Sequence, residues 1–336
     1  MKVLYVGSGA VNLCLAGWMH AGVSRTSFLV RTADNELIPS QSFRCQLPGH
    51  KNNQIFKCRA FASLEGEEIP DLIVIGVKSY SLETVVESII GAFGNQVSVM
   101  SVLNGVRHVE LLTAKFSNAF FATIAFNSYR VSQTSAVALG ATVGLSASES
   151  ADRSMLEAIH KILSGKITAK LIESPRDAAH TKLVVNLGNA LLAMVGFHDN
   201  RNRELDILQK ITAKILWEGV EAIKKYGVKE ARLPGMPTWS LMWLSKQLPS
   251  FIVLPIFRSK MRSTSINSMA QDLQNGSENT ELEDINGYLV KLADRVGVKI
   301  PYNRALYHIF KEWLKEEAQP IRPSVLLSRI NSFSNL

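Results

Sequence analysis

The chain has 336 residues, 46% of them hydrophobic and 20% charged, a balance that excludes bulk disorder and collagen-like repeats and suits about two globular domains. Lys and Arg total 37 against 29 Asp and Glu, a formal charge of +8, so an anionic partner is expected: nucleic acid, a membrane surface or a phosphorylated small molecule. Three widely spaced cysteines, Cys14, Cys45 and Cys58, form neither a disulfide framework nor a zinc ribbon and fit a reducing cytoplasm.

Residues 2–6 form an apolar β-type run that meets Gly7-Ser8-Gly9 at once. That run is too short for a signal-peptide core. Residues 10–22 carry Val11, Leu15, Trp18 and Met19 at helical spacing. Strands are expected at 27–30, 55–58, 71–77, 97–103 and 120–125, with helices over 81–92 and 106–114. Continuous apolar strands alternating with amphipathic helices imply a parallel sheet covered on both faces. Residues 129–147, rich in Ser, Thr, Ala, Gly and Val, read as an antiparallel hairpin appended to that sheet. A helix near 151–163 and a strand near 167–173 close this half. Ser174-Pro175 is a helix start with Pro at the first position.

Beyond Pro175 the β signal fades, and helices are expected over 176–195, 204–226, 262–275, 280–297 and 303–316. The expected fold class is therefore α/β: an N-terminal Rossmann-like dinucleotide-binding domain, 1–174, and an all-helical C-terminal domain, 175–336. Residues 233–255 break the periodicity and read as short helices and turns, and the tail from Gln319 is expected to fray. The apolar stretch 251–257, interrupted at Pro255, is far shorter than the ~20 residues needed to span a bilayer. It reads as core or cleft lining rather than a membrane contact.

The turn Gly7-Ser8-Gly9-Ala10-Val11-Asn12 lies between a strand and a helix, the context a dinucleotide fingerprint needs. Its first glycine permits the tight turn, its second lets a pyrophosphate approach the backbone, and the helix start offers free N–H groups. Asn12 replaces the third glycine; it either loosens helix–strand packing or reaches toward a ligand. The second strand ends in Arg31 rather than in Asp or Glu. A guanidinium there matches a ribose 2′-phosphate and favours NADP(H) over NAD(H), the alternative being a solvated strand end. Asp34 and Glu36 lie further into the loop and complicate the preference.

Four further segments follow in order: Asp71-Leu-Ile-Val-Ile-Gly-Val-Lys78; Leu103-Asn104-Gly105-Val106; Thr181-Lys182 through Asn186 to Asn189; and Ser268-Met-Ala-Gln271-Asp272 followed by Thr280-Glu281 and Asn286-Gly287. Together with the turn, they resemble the ketopantoate reductase (2-dehydropantoate 2-reductase) family across nearly the whole chain. The resemblance implies a Rossmann domain plus a helical domain with the site in the cleft between them. It also implies reduction of the 2-dehydropantoate ketone to pantoate with NADPH, toward pantothenate and coenzyme A. Lys182 would be the general acid. Glu281 would hydrogen-bond the substrate hydroxyl or organise the site. Asn104, Asn186, Asn189, Asn200 and Ser268 would orient the substrate. The cofactor would meet Gly7, Ser8, Gly9, Ala10, Val11, Asn12, Arg31, Lys78, Asn104, Ser128 and Glu281.

The residues support this chemistry directly. Hydride delivery to a ketone builds charge on oxygen, which needs a proton donor or cation. Lys182 and Asn186 are four apart and share a helical face with Asn189, on a helix otherwise rich in Leu, Val and Ala. Glu281 has a simpler reading as a first-turn charge on its helix, and Lys78 as a strand-end charge. No metal-ligand spacing and no nucleophile elbow occurs. The segment from Gly276 to Glu281 is a residue longer than the family pattern, and Ala190 stands where a second helical asparagine is usual. These departures leave open a related NADP-dependent dehydrogenase acting on another 2-oxo or hydroxy acid, or a non-catalytic NADP-binding paralogue. The expected partner is a small-molecule 2-oxo acid, with no nucleic acid, no membrane and no metal; the protein is expected to be cytoplasmic and a monomer or homodimer.

Overall fold

The structure is a computed structural model that describes residues 1–30, 38–48, 54–196, 204–263, 267–274, 280–316 and 318–334. The chain forms two compact units, Met1–Ala179 with Ala231–Gly235 and His180–Glu230 with Met236–Leu336.

The first unit runs β1 (Lys2–Val6), α1 (Ala10–Met19), β2 (Arg25–Leu29), β3 (Ile38–Gln46), β4 (Gln54–Phe61), β5 (Leu72–Ile75), α2 (Leu82–Phe93), β6 (Val99–Ser101), α3 (Arg107–Lys115), β7 (Ala119–Ile124), β8 (Ser128–Ser132), β9 (Ser135–Ala138), β10 (Thr142–Ala147), α4 (Arg153–Ser164) and β11 (Thr168–Leu171). These strands make one sheet in the order β11-β10-β7-β6-β5-β1-β2-β4-β3-β9-β8. From β7 through β6, β5, β1 and β2 to β4 every pairing is parallel, as the continuous apolar runs require. All four residues of β5, Leu72-Ile-Val-Ile75, are buried. This is the doubly wound core expected from the sequence.

The margins of the sheet differ from the expectation. Only β8 and β9 form the antiparallel hairpin; β10 leaves it to pair antiparallel with β7. Strand β3 was not anticipated, because its nine residues include Pro39, Ser40, Gln41 and Ser42. Its downstream half alternates, with Phe43, Cys45 and, just past its end, Leu47 buried and Ser42, Arg44 and Gln46 exposed, the pattern of a strand covered on one face. Phe43 extends an aromatic row from Tyr5 on β1, with ring centroids 5.0 Å apart for Tyr5–Phe28, 4.4 Å for Phe28–Phe43 and 5.8 Å for Phe43–Phe56. Residues 231–235 return to this unit: a side chain on Gly144 would stand 2.8 Å from Leu233 Cδ2, and Lys170 Nζ donates to Arg232 O at 3.1 Å.

The junction lies in α5 (Pro175–Asn186). Ser174 Oγ accepts from the Asp177 N–H at 3.1 Å, so the expected helix start is present. The helix expected to continue to 195 instead breaks at Leu187 and resumes as α6 (Gly188–Met194). The Leu187 N–H is shared between Leu183 O and Val184 O, a tightening that ends the α-helical ladder there. The second unit continues with α7 (Leu205–Lys225), α8 (Trp239–Gln247), α9 (Ser250–Ser263), α10 (Ser268–Gln274), α11 (Tyr288–Val296), α12 (Pro301–Lys315) and α13 (Pro323–Ser334). A π-helical turn, Glu283–Gly287, precedes α11, where one uninterrupted helix was expected.

Two further expectations are adjusted. Of the two readings of segment 251–257, core falls away, because Phe251 is 78% and Ile256 70% exposed on α9, while Phe251, Leu254 and Pro255 line a surface cleft. The tail does not fray, because Leu326 and Ile330 of α13 are fully buried. Glu204 secures the start of α13 by accepting from Ser324 N and Ser324 Oγ at 2.8 and 2.9 Å. Among the described residues no helix is long and apolar enough to cross a membrane.

Candidate active site

In the first unit, the carboxyl ends of the parallel strands bring Gly7–Val11, Lys78 and Asn104 of the expected cofactor residues together. The Gly7 N–H donates to Leu29 O at 2.9 Å, Gly76 N–H to Val6 O at 3.1 Å and Val102 N–H to Ile75 O at 3.1 Å. These bonds align the ends of β1, β2, β5 and β6, so Gly7–Val11, Lys78 and Asn104 follow neighbouring strands. This is where an open α/β sheet binds its ligand. Gly7 has φ +90°, and a Cβ on it would lie 3.1 Å from Gly76 O; only glycine makes this turn without strain. Gly9 precedes α1 in extended conformation and carries no side-chain cap, which leaves the first-turn amides as anion donors.

Asn12 neither loosens the packing nor reaches outward with its side chain. It is 1% exposed, and its Nδ2 donates to Val6 O at 3.0 Å and Gly7 O at 2.8 Å. The space for its amide comes from the segment just after β5: a Cβ on Gly76 would fall 2.2 Å from Asn12 Oδ1. The glycine missing from the fingerprint is thus replaced by one on the strand-ending segment after β5. Lys78 is exposed and half-buried Asn104 precedes Gly105, whose φ is +84°. Ser128 is half-buried at the start of β8. Arg31, with its expected 2′-phosphate role, lies outside the described residues, as does Asn200.

The fit to a nicotinamide dinucleotide follows from these features. A turn that a Cβ would fill, uncapped helix amides and a lysine at a strand end are what a pyrophosphate bridge needs.

In the second unit, α5 carries Lys182 and Asn186 on one face. Lys182 is only 8% exposed. Burial pushes its amine down to about 8, while the Glu281 carboxylate acts in the opposite direction. Among the described residues no hydrogen bond or ion pair engages its Nζ. A lysine amine lowered this far can give up a proton close to neutral pH.

Asn267, which the sequence reading passed over, organises the Asn189–Ser268 region. Its Oδ1 caps α10 by accepting from Ala270 N at 2.8 Å, and its Nδ2 donates to Asn189 O at 3.2 Å. Ser268, the first residue of α10, is thereby brought beside the Asn189 segment. The readable signal was an Asn one residue before a helix start. Glu281, half-buried, opens the turn before α11, and its carbonyl accepts from Ile285 N at 3.1 Å. His180 is 1% exposed and hydrogen-bonds Tyr288 Oη at 2.9 Å. Among the described residues no cluster of His, Cys, Asp or Glu could hold a metal ion.

Comparison with known proteins places these units. The family model Ketopantoate reductase PanE/ApbA matches residues 3–146, and Ketopantoate reductase PanE/ApbA C terminal matches 175–314. The uncharacterized oxidoreductase YkpB of Bacillus subtilis is 30% identical over 117 residues, 35% of this chain and 38% of that protein; the match therefore spans well under half of the relative. The crystal structure of a PanE/ApbA family ketopantoate reductase from Ralstonia eutropha JMP134 superposes with TM-score 0.74 at 18% identity, covering 95% of this chain and 99% of that one. D-mandelate dehydrogenase, solved with NADH and anilino(oxo)acetate, superposes with TM-score 0.73 at 17% identity, covering 94% and 99%. At these identities the structural likenesses establish the fold.

Proposed function

This chain belongs to the ketopantoate reductase PanE/ApbA family of oxidoreductases, and from that premise we propose that it reduces the ketone of 2-dehydropantoate to pantoate with NADPH, a step toward pantothenate and coenzyme A. In this reading residues 1–174 hold the dinucleotide and residues 175–336 supply the substrate contacts and the proton. The observation that carries it is the buried Lys182, whose amine lies down at about 8 beside the Glu281 carboxylate.

When bound, the reduced nicotinamide supplies the hydride to the carbonyl carbon. The residues of this chain do the rest. Gly7, Ser8, Gly9, Ala10, Val11 and Asn12 offer the turn and its amides to the pyrophosphate, with Lys78 as a nearby cation. Arg31 pairs with the 2′-phosphate and selects NADPH. Asn104 and Ser128 meet the cofactor at the reacting end. Lys182 donates hydrogen bonds to the ketone oxygen and transfers one Nζ proton to it as the C–O double bond becomes a C–O single bond. Its neutral amine then regains a proton from water. Glu281 holds the substrate hydroxyl and keeps Lys182 protonated to a higher pH than burial alone would allow. Asn186, Asn189, Asn200 and Ser268 orient the carboxylate and hydroxyl of the 2-oxo acid.

The test is the loss of NADPH absorbance with purified protein and 2-dehydropantoate, beside a panel of other 2-oxo acids and beside NADH. Turnover with 2-dehydropantoate and NADPH is expected. Turnover confined to other 2-oxo acids assigns a related dehydrogenase, and tight NADPH binding without turnover on any acid assigns a non-catalytic paralogue.

A further inference from the structure

The Asn286-Gly287 pair has no part in the mechanism above, yet it lies at a point where two catalytic segments are tied. Asn286 is fully buried, and its Nδ2 donates to Leu187 O at 3.3 Å across 99 residues of sequence. Leu187 is the residue at which α5 breaks, next to Asn186. Asn286 belongs to the π-helical turn Glu283–Gly287, a conformation often found at functional sites. Ile285, adjacent to Asn286 and fully buried, holds the Glu281 carbonyl through its N–H at 3.1 Å. One continuous set of bonds therefore runs from the Glu281 backbone through Ile285 and Asn286 to the end of the helix that carries Lys182.

The other side of the turn is also restrained. Glu283 accepts from Tyr307 Oη at 2.8 Å and from Lys311 Nζ at 3.1 Å. A Cβ on Gly287 would stand 2.8 Å from Glu283 Oε2 and 3.3 Å from Tyr307 Cε2, so glycine is what lets the turn close on this cluster. The turn is held outward by Glu283 and inward by Asn286. The Asn286 Oδ1 is buried without a hydrogen-bond partner. Such a group costs stability where it stands.

We infer that Asn286 is a positioning residue: by tying the π-helical turn to Leu187, it sets the separation of Glu281 from Lys182. The inference rests on the reading of Lys182 and Glu281 as the catalytic pair, but its physical content concerns the free protein. Leucine keeps the branched shape of asparagine and cannot donate, but it is bulkier, so a smaller variant accompanies it. In Asn286→Leu the tie is lost, Glu281 relaxes away, and the support its charge gives the Lys182 ammonium weakens.

The experiment measures the Lys182 amine directly, by competitive acetylation over a neutral-to-alkaline pH series with peptide mass spectrometry, in protein without substrate. In Asn286→Leu the Lys182 titration should move down by about one pH unit, the size of effect a nearby opposite charge supplies. Asn286→Ser, whose hydroxyl is too short to reach Leu187 O, should move it in the same direction and serves if the leucine variant does not fold. The control is Asn303→Leu. Asn303 is equally buried in the same unit and donates to Ile215 O at 2.9 Å, so its loss should lower Tm and leave Lys182 alone. If Asn286→Leu or Asn286→Ser lowers Tm as the control does while the Lys182 titration stays unchanged or rises, Asn286 is structural and the inference is overturned. Because the readout needs no turnover, a wrong substrate assignment would not disturb it.

Discussion

Lys182→Met separates the catalytic and the structural consequences of burying an amine. At about 1.4 kcal/mol per pH unit, the gap between the ordinary 10.5 and about 8 makes the ammonium about 3 kcal/mol less stable in the fold than in the unfolded chain. Between those two values the unfolded chain holds more protons than the native one, so stability rises with pH across the window and is lowest below it. Methionine has similar length, fills the same space and carries no charge to desolvate. At neutral pH the variant should gain up to about 3 kcal/mol and several degrees in Tm. The gain should vanish once the pH exceeds the unfolded value of 10.5. Turnover moves the other way. Loss of a general acid costs about 10²–10⁴-fold, or about 3–5 kcal/mol of barrier. The native enzyme should show kcat/KM that is flat below about 8 and falls about tenfold per pH unit above it. The assays are the pH series of NADPH oxidation and thermal unfolding of both proteins at neutral and strongly alkaline pH. A variant with undiminished turnover, or one no more stable than the native protein at neutral pH, refutes the argument.

The remaining predictions concern binding and packing. Arg31→Ala should raise the KM for NADPH far more than that for NADH; equal changes in steady-state kinetics would remove the 2′-phosphate role. Gly76→Ala places a methyl where Asn12 Oδ1 stands, 2.2 Å from the ideal Cβ, and should cost about 2–3 kcal/mol in chemical denaturation. Adding Asn12→Gly should recover much of that loss, a coupling that a double-mutant cycle reads directly. Glu218 is 8% exposed and accepts from Tyr302 N at 3.0 Å, Asn303 N at 2.9 Å and Asn303 Nδ2 at 2.9 Å. Glu218→Ala strips the start of α12 of these acceptors and should cost about 2–4 kcal/mol. An unchanged Tm would show that water replaces them.

Much of the fold is legible locally. Apolar runs such as Leu72–Ile75 announce parallel strands because burial on both faces leaves no room for alternation. Gly7 announces its turn because its φ of +90° is strained for other residues. Ser174-Pro175 announces α5 through cap chemistry. Strand β3 escaped notice because its first half is polar and only Phe43, Cys45 and Leu47 alternate. The tail escaped because Pro320 and Pro323 suggested fraying, whereas Pro323 opens α13 as its first residue. The exposure of Phe251 and Ile256 was equally hidden, since an apolar side chain does not declare whether anything packs on it.

Within the candidate site, the family resemblance singled out Lys182 and Asn186, the strand–turn–helix context singled out the glycine turn, and spacing added that Lys182 and Asn186 share a helical face, because neighbours at four residues do so whatever surrounds them. Tertiary structure decided what those residues can do. The Lys182 amine sits near 8 only because the fold desolvates it beside Glu281, and burial is a property of no single segment. Asn12 fits its turn only because Gly76, just beyond β5, yields the space. Asn286 meets Leu187 only because the chain returns after 99 residues. Backbone propensity and periodicity act over a few residues, so they are written into the sequence. Desolvation, close approach and long-range hydrogen bonds arise only when distant segments are packed together.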